Sequence, residues 1–329
     1  MNKDNFAKGV EKLIDPISVG SIHFIQQFNQ LLPKSIQKKL MDSQAEKIPN
    51  MGFVVEPYSF FLCYEITNLT EAKSLLPKGF ELVKTRIFTD DEPKYYAIFG
   101  CIRAHTSAFW GVRNEFYIIA EDQKTNLLSW IIVDYDTSTI SYDDKHGLRS
   151  PNASQAIVTI DYNGTLFVDI QNKDNKRKLI FSANIENTKM KNLDQRLWLE
   201  GNLSIGYGPN LSEQGPKIFS LKFDPKDVEK ALKIPAENLI IDTNSWYPGL
   251  FENNPSQIIC FPYAQHFVSD SPGFASKLNN EEELNAATSN LDFDKIKVLS
   301  TKPFMSMIIV GTIFSFVLTV TLLLLWLLK

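Results

Sequence analysis

The sequence predicts a mainly β protein of the α+β class, with helices at its N-terminus and one membrane-spanning helix at its C-terminus. Apolar residues recur with a period of two from about residue 51 to residue 269, which is typical of strands that bury one face. About eleven such strands with few helices must hide their edges, so we expect a closed or partly open antiparallel β-barrel or a β-sandwich. An uncharged run near the end of the chain predicts the membrane helix. The predicted segments are 1–50, 51–269, 270–303 and 304–328.

The N-terminal segment contains apolar residues at helical spacing and many lysines. The apolar positions fall into two sets, which are Phe6, Val10, Leu13 and Ile14, and then Ile25, Phe28, Leu32, Ile36 and Leu40. Two interpretations remain open. The helices can be amphipathic and lie in the plane of a membrane surface. Equally, they can pack against the main domain.

The main segment is rich in aromatic and β-branched residues, with turn residues between the runs. The predicted strands are 59–66, 80–88, 94–102, 112–121, 127–135, 155–162, 165–171, 178–185, 197–208, 217–223 and 257–268. Two short helices interrupt the series, one at 70–77 with a Thr cap, and one at 224–234 with an Asp cap followed by proline.

The C-terminal part reads as a polar tether and a membrane anchor. Residues 304–328 contain no charge, and as a helix this run is about 37 Å long, enough to cross a hydrocarbon layer of ~30 Å. Lys295, Lys297 and Lys302 precede the run, and Lys329 follows it. No apolar leader is visible at the N-terminus. The positive-inside rule then predicts a tail-anchored, single-pass protein with its large domain in the cytoplasm and the lipid bilayer as partner of residues 304–328.

The composition excludes several classes of partner and cofactor. Charged residues make up 22 % of the chain and the net charge is −4, which does not favour nucleic acid binding. Cys63, Cys101 and Cys260 stand singly in apolar runs, which indicates buried thiols rather than disulfides or a metal site. Phosphate-binding and dinucleotide-binding motifs are absent. The sequence therefore predicts neither a metal nor a cofactor.

A polar stretch at residues 101–122, "CIRAHTSAFWGVRNEFYIIAED", is the candidate site. Alternation places Arg113 and Glu115 on one face of a strand, and Arg103 and His105 on one face of the strand before it. If the segment between them is a hairpin turn, these four side chains can converge on a pocket, where arginine suits a carboxylate or another polar head group. The candidate ligand-binding residues are Arg103, His105, Trp110, Arg113 and Glu115. The alternative is a solvent-facing Arg–Glu pair with Trp110 covering the core.

Three consecutive stretches carry a family resemblance: "LLPKGFELVKTRIF" (75–88), "YAIFGCIRAHTSAFWGVRNEFYIIAED" (96–122) and "LLSWIIVDYDTSTISYDDKHGL" (127–148). Their order resembles the acetoacetate decarboxylase-like β-barrel superfamily. The resemblance implies a central cavity that receives an Arg or Glu side chain, followed by an Asp-containing strand and a lysine-bearing segment.

The chain departs from that family at the lysine motif. Decarboxylating members resemble one another in a Gly-Phe-Pro-Lys-Lys segment, whose lysine forms a Schiff base. The corresponding stretch here is "SYDDKHGLRSP" (141–151), in which Lys145 stands alone behind Asp143 and Asp144. Two carboxylates so close favour the charged amine, which is not nucleophilic. A solvated turn is the other interpretation of Lys145.

Three functions follow from these observations. The first is a membrane-tethered domain that binds a small or lipid-like ligand. The second is a decarboxylase-like lyase acting on an oxo-acid, with His105, Glu115 and Lys145 as catalytic candidates. The third is a membrane-associated structural or adaptor protein. His266, outside the candidate stretch, is a further residue suited to proton transfer.

Overall fold

The computed structural model describes residues 3–29, 31–47, 50–143, 145–174, 176–213, 219–270, 278, 280–298 and 302–328. Its helices are α1 (Lys3–Lys12), α2 (Pro16–Asn29), α3 (Lys34–Lys47), α4 (Leu69–Ser74), α5 (Glu281–Ser289) and α6 (Lys302–Leu327). The class is therefore mixed α+β, mostly sheet, with helices at the N-terminus and an apolar helix at the C-terminus, as the sequence predicts.

Most of the chain between α3 and α5 is strand. The strands are β1 (Asn50–Val55), β2 (Ser59–Glu65), β3 (Phe80–Leu82), β4 (Tyr96–Thr106), β5 (Trp110–Asp122), β6 (Leu128–Thr137), β7 (Ser141–Asp143), β8 (Gly147–Arg149), β9 (Ala153–Ile160), β10 (Thr165–Asn172), β11 (Lys178–Asn184), β12 (Lys189–Asn192), β13 (Ile205–Tyr207), β14 (Leu221–Phe223), β15 (Lys230–Lys233), β16 (Leu239–Asn244), β17 (Gln257–Phe261) and β18 (Gln265–Asp270).

Twelve of these strands form the main sheet, and β4 lies at its centre. One edge of β4 pairs first with β2 and then with β1, and its other edge pairs with β5. The order β12-β15-β17-β2-β4-β1-β18-β14 runs through the sheet, and β5 carries β3 and β6 beside it. The remaining strands form a four-stranded sheet, β16-β11-β10-β9, and the β7–β8 hairpin.

The barrel form of the prediction is not confirmed. The pairing of the described strands does not close the main sheet into a ring, although a single bridge joins Ile205 of β13 to Phe219, just before β14. The mainly antiparallel arrangement is present, with β13 beside β6 as a parallel pair.

The main sheet is buried on both faces, and two cores result. We call one face the helix-covered face, because its core includes Leu197, Trp198 and Leu203 from helical turns at residues 196–203. We call the other the sheet-covered face, because its core joins Phe60 and Phe99 of the main sheet to side chains of the four-stranded sheet. Alternating residues of each central strand enter the two cores in turn.

Four predicted elements differ from the structure, and one of them, the predicted strand 257–268, is divided into β17 and β18. Residues 196–203 are helical rather than extended, because Asp194 caps the turn through its Oδ1 atom and Leu197 and Trp198 are buried on one side. The helix predicted at 224–234 stops at Val228, and β15 follows because Leu232 pairs with Cys260. In the predicted strand 80–88, only β3 is regular.

The packing of α1 supports one of the two open interpretations of the N-terminal segment. Helix α1 packs on the domain, because Phe6, Val10 and Leu13 form a small core with Val268. The side chains of Ile25, Phe28 and Leu40 lie outside the described residues.

The predicted tether is not wholly extended. It contains α5, whose Leu284 is buried, and residues 291–298, which pack against the α1 core. Residues 271–277, 279 and 299–301 of the tether lie outside the description.

Helix α6 is long and apolar enough to cross a membrane. The candidate membrane-spanning segment within α6, Ile308–Leu327, has a mean hydropathy of 2.6. None of this segment is buried against the rest of the described chain, so it is not a core helix of the domain. At ~1.5 Å per residue, the 26 residues of α6 extend about 39 Å.

Candidate functional site

Arg113 and Glu115 form a buried ion pair on the helix-covered face of the main sheet. The Arg113 Nε atom donates to Glu115 Oε1 at 2.8 Å, and Nη2 lies 2.7 Å from the same oxygen. The hydroxyl of Tyr117 donates to the second oxygen, Oε2. The side chains of Arg113 and Glu115 retain 8 % and 13 % of their surface, so both remain narrowly accessible. The solvent-facing alternative for this pair is therefore wrong.

Aromatic rings enclose the Arg113 guanidinium. Its Cζ atom lies 4.7 Å from the ring centre of Tyr135 and 5.5 Å from that of Phe109. Burial is the largest single influence and lowers the pKa of Arg113, but the charge and hydrogen bond of Glu115 together with Tyr135 and Tyr207 outweigh it, so the net pKa is raised. Burial raises the pKa of Tyr207, which faces the same charges. The site at neutral pH therefore contains a fixed cation and neutral phenols.

Tyr135 connects the ion pair to the β7–β8 hairpin. Its hydroxyl donates to Asp143 Oδ2 at 2.9 Å, and Ser141 lies at the same distance. Arg149 binds the same Asp143 oxygen at 3.3 Å, and its Cζ atom lies 5.4 Å from the Tyr135 ring centre. Burial and the nearby Asp143 raise the pKa of Tyr135 to about 12. Tyr135 therefore stays protonated and holds the hairpin against Arg113.

The other predicted side chains lie on the opposite side of the sheet. Glu56, next to β1, binds Arg103 at 3.3 Å and also contacts His105 Nε2. Trp110 stacks on His105 with 4.4 Å between ring centres, and it is half exposed rather than covering the core. A cleft of about 220 Å³ opens beside Arg103, between Glu56 and Leu166 of the small sheet.

The structure thus brings the candidate residues together in two groups rather than one. Arg113 pairs with Ile102 across β4 and β5, whereas Arg103 pairs with Val112. Directly paired residues share a face and consecutive residues do not, so the two arginines point to opposite sides. The expected convergence of all four polar side chains does not occur. Whether these residues bind a ligand stays a prediction.

Lys145 and His266 lie away from the buried pair. Lys145 is exposed in the turn between β7 and β8, where its Nζ atom donates to the Pro209 carbonyl at 3.2 Å. His266 Nε2 lies 3.2 Å from Glu11 Oε1, so this histidine joins β18 to α1. Asp144 is outside the described residues.

A β-bulge brings Tyr135 to the site, which alternation along the sequence does not predict. Phe116 pairs with Asp134 and Tyr117 with Ile132, which leaves Val133 as a bulged extra residue in β6. Strict alternation from Ile132 sends Tyr135 to the sheet-covered face, but the bulge returns it to the helix-covered face. A bulge leaves no clear signature in a run such as "WIIVDYD".

The same bulge directs two aspartates to the sheet-covered face. Arg177 contacts Asp134 and also binds Asp136 Oδ1 at 2.5 Å, and its Cζ atom lies 4.5 Å from the ring centre of Trp246. Burial raises the pKa of Asp136, and Arg177 opposes that shift. This cluster joins the two sheets at their edge. Among the described residues, no group of three or more His, Cys, Asp or Glu side chains could hold a metal ion.

Comparisons with known proteins place the chain only coarsely. No protein-family model matches it, and no curated protein matches it. The chain is similar to a crystal structure of acetoacetate decarboxylase from Legionella pneumophila subsp. pneumophila str. Philadelphia 1, with 10 % sequence identity and a TM-score of 0.41. The similarity covers 68 % of this chain and 85 % of that one. This weak similarity in fold agrees with the family resemblance stated from the sequence. It gives no information on activity or ligand.

Proposed function

We propose that the protein is a single-pass membrane protein whose β-rich domain binds a small or lipid-like ligand carrying an anionic or polar head group. Helix α6 anchors the domain, and the lysines that precede it favour a cytoplasmic domain. The head group binds on the helix-covered face of the main sheet, at Arg113. The observation that carries the proposal is this guanidinium, buried among aromatic rings and still partly accessible.

The donors of Arg113 support this assignment. Glu115 engages Nε and Nη2, and no hydrogen bond to Nη1 is formed by any residue in the described part of the chain. A guanidinium nitrogen in surroundings of low dielectric is a strong donor to a carboxylate or phosphate oxygen. Tyr135 and Tyr207 supply apolar ring surface and neutral hydroxyls beside it. The cleft described above lies beside Arg103 on the opposite face, so the assignment to Arg113 rests on its charge and on the aromatic rings around it.

The lyase alternative has less support. Lys145 donates to a backbone carbonyl on the exposed surface, and the candidate base His105 lies on the other face of the sheet from Arg113. The candidate Glu115 binds Arg113 and Tyr117 at the same time. A nucleophilic lysine needs a dry pocket or a neighbouring cation, and the exposed surface around Lys145 is not a dry pocket.

The test compares two neutralised ion pairs in the full chain purified from native membrane. Native mass spectrometry measures whether a small molecule is retained. The variant Arg113→Gln/Glu115→Gln removes the buried pair without leaving one charge unpaired. The matched control, Arg103→Gln/Glu56→Gln, removes the pair on the opposite face.

We expect the retained molecule to be lost from the first variant and kept by the control. Retention by both variants contradicts a site at Arg113. Loss from the control alone places the ligand in the cleft beside Arg103 instead. Circular dichroism of both variants checks whether the fold is intact.

A further inference from the structure

Helices α2 and α3 expose large apolar side chains. Ile17 is 71 % exposed and Leu31, in the connection between the two helices, is 81 % exposed. Leu32 and Ile36 are also exposed, at 38 % and 46 %. Scattered exposed apolar residues are ordinary, but several on one short segment mark an interaction surface. We call Ile17, Leu31, Leu32 and Ile36 the α2–α3 apolar surface.

The path of the chain holds α1, which precedes this surface, near the start of α6. Residues 291–298 pack against the α1 core, and the Phe6 and Phe293 rings lie 5.7 Å apart. Three residues separate Val298 from Lys302, the first residue of α6, and the four steps between them, at ~3.5 Å each, reach at most roughly 14 Å. The domain end that carries α1 is therefore the end nearest α6.

Helix α2 follows α1 after a short, fixed connection. Asp15 accepts hydrogen bonds from the Ile17 backbone amide at 3.1 Å and from the Ser18 hydroxyl at 3.1 Å, so it caps the start of α2. Val19 of α2 is buried, and α3 contacts β8. The helices are thus docked on the domain while their apolar surface stays open.

Basic residues outnumber acidic ones in this region, with seven lysines and five acidic residues between residues 3 and 47. Lys8 and Lys12 are exposed on α1, and Lys34 and Lys39 are exposed on α3. Apolar side chains bordered by lysines are the composition of helices that lie at an anionic lipid surface.

We propose that the α2–α3 apolar surface lies in the headgroup region of the same bilayer that α6 spans, with Lys34 and Lys39 at anionic lipid headgroups. This inference rests on the membrane span of the proposed function. The α2–α3 apolar surface contacts lipid, because α6 places this end of the domain at a bilayer. The lysines are complementary in charge to anionic headgroups. The domain then has two contacts with the membrane and one fixed orientation on it.

Single nitroxide labels on the full chain test the inference. The three native cysteines are buried, and burial raises the pKa of Cys260 to about 12, so an introduced surface cysteine is labelled selectively. Leu31→Cys and Ile17→Cys report the apolar surface. Phe316→Cys reports the span, and Tyr162→Cys, at a position that is 97 % exposed in the turn between β9 and β10, reports bulk water.

The protein is reconstituted in vesicles of phosphatidylcholine with and without phosphatidylserine. Electron paramagnetic resonance compares the accessibility of each label to oxygen, which concentrates in lipid, and to a water-soluble nickel chelate. We expect the oxygen-to-nickel ratio at positions 17 and 31 to exceed the ratio at position 162 several-fold. The ratio is expected to rise further with phosphatidylserine, and less so in a Lys34→Gln/Lys39→Gln background.

The outcomes separate the two proposals. Water-like labels at positions 17 and 31 together with a lipid-like label at position 316 overturn the surface contact and leave the span intact. A water-like label at position 316 overturns the span, and the surface contact with it. Equal ratios with and without phosphatidylserine overturn the role of the lysines.

Discussion

Arg103 and Arg113 lie on opposite faces of one antiparallel strand pair, although both belong to the same short polar stretch. Arg103 pairs with Val112 and contacts Glu56, whereas Arg113 pairs with Ile102 and binds Glu115. The Arg103 side chain is 46 % exposed, and the Arg113 side chain is 8 % exposed. Similar ion pairs therefore stand in very different dielectric surroundings.

This contrast predicts unequal effects on stability. Arg113→Gln leaves Glu115 buried without its cation and is expected to cost about 3–5 kcal/mol of unfolding free energy. Arg103→Gln is expected to cost at most about 1 kcal/mol, because exposed pairs contribute little. Denaturant unfolding of the full chain in detergent measures both. Adding Glu115→Gln to Arg113→Gln is expected to restore most of the loss, and similar costs for the two single variants would contradict the burial of the Arg113 pair.

The raised pKa of Tyr135 predicts that the folded protein loses stability at alkaline pH. Its pKa is raised to about 12 from an ordinary value of 10, first by burial and then by Asp143. The unfolded chain therefore releases this proton first, so the contribution is complete below pH 10 and is lost as the pH rises to 12. The two-unit shift corresponds to a loss on the order of 3 kcal/mol.

Urea unfolding at several pH values between 8 and 12 measures this slope. Tyr135→Phe is expected to be less stable at pH 8 by about 1–2 kcal/mol, because the hydrogen bond to Asp143 is lost. Its stability is expected to fall less steeply above pH 10. An unchanged slope in the variant would assign the alkaline loss to other tyrosines.

The close packing around Gly201 predicts that an added methyl group destabilises the protein. A Cβ atom at this position overlaps the Trp130 indole at Nε1 and Cδ1 and lies 3.1 Å from Leu128 Cδ2. Trp130 cannot move freely, because its Nε1 donates to the Leu197 carbonyl at 3.0 Å. Gly201→Ala is expected to cost about 1–3 kcal/mol.

A second glycine provides the matched control. Gly20 lies within α2, and an added Cβ atom there meets no other atom within 4 Å. Gly20→Ala is expected to be neutral or to stabilise the protein by up to about 1 kcal/mol. Thermal unfolding followed by circular dichroism compares the two variants. Equal effects would show that Gly201 is not closely packed.

The exposed position of Lys145 predicts that this residue forms no Schiff base. Its amine is exposed and donates to the Pro209 carbonyl, so it lacks the dry pocket that makes a lysine nucleophilic. Borohydride reduction in the presence of small keto acids is expected to leave Lys145 unmodified in peptide mass spectra. Lys145→Met is expected to change stability by less than about 0.5 kcal/mol. A covalent adduct at Lys145 would revive the lyase alternative.

Local patterns in the sequence were sufficient for part of the structure. Period-two runs predicted most central strands, and alternation correctly placed Arg113 and Glu115 on one face and Arg103 and His105 on one face. The predicted Asp224 cap is confirmed, although the helical turn ends earlier than predicted, whereas α4 is capped by Asn68 and not by the predicted threonine. The bulge at Val133 had no comparable local signal.

The sequence by itself determined the strand-rich body, the relative facing of neighbouring side chains and one apolar helix long enough to span a bilayer. These properties follow from the covalent chain, because alternation and helical length are local. Tertiary structure decided which face each side chain met: it gave His105 the distant partner Glu56, enclosed Arg113 in aromatic rings and left Lys145 outside. Those outcomes depend on pairing between residues far apart in the chain. Burial then sets how strongly each charge interacts with its partner.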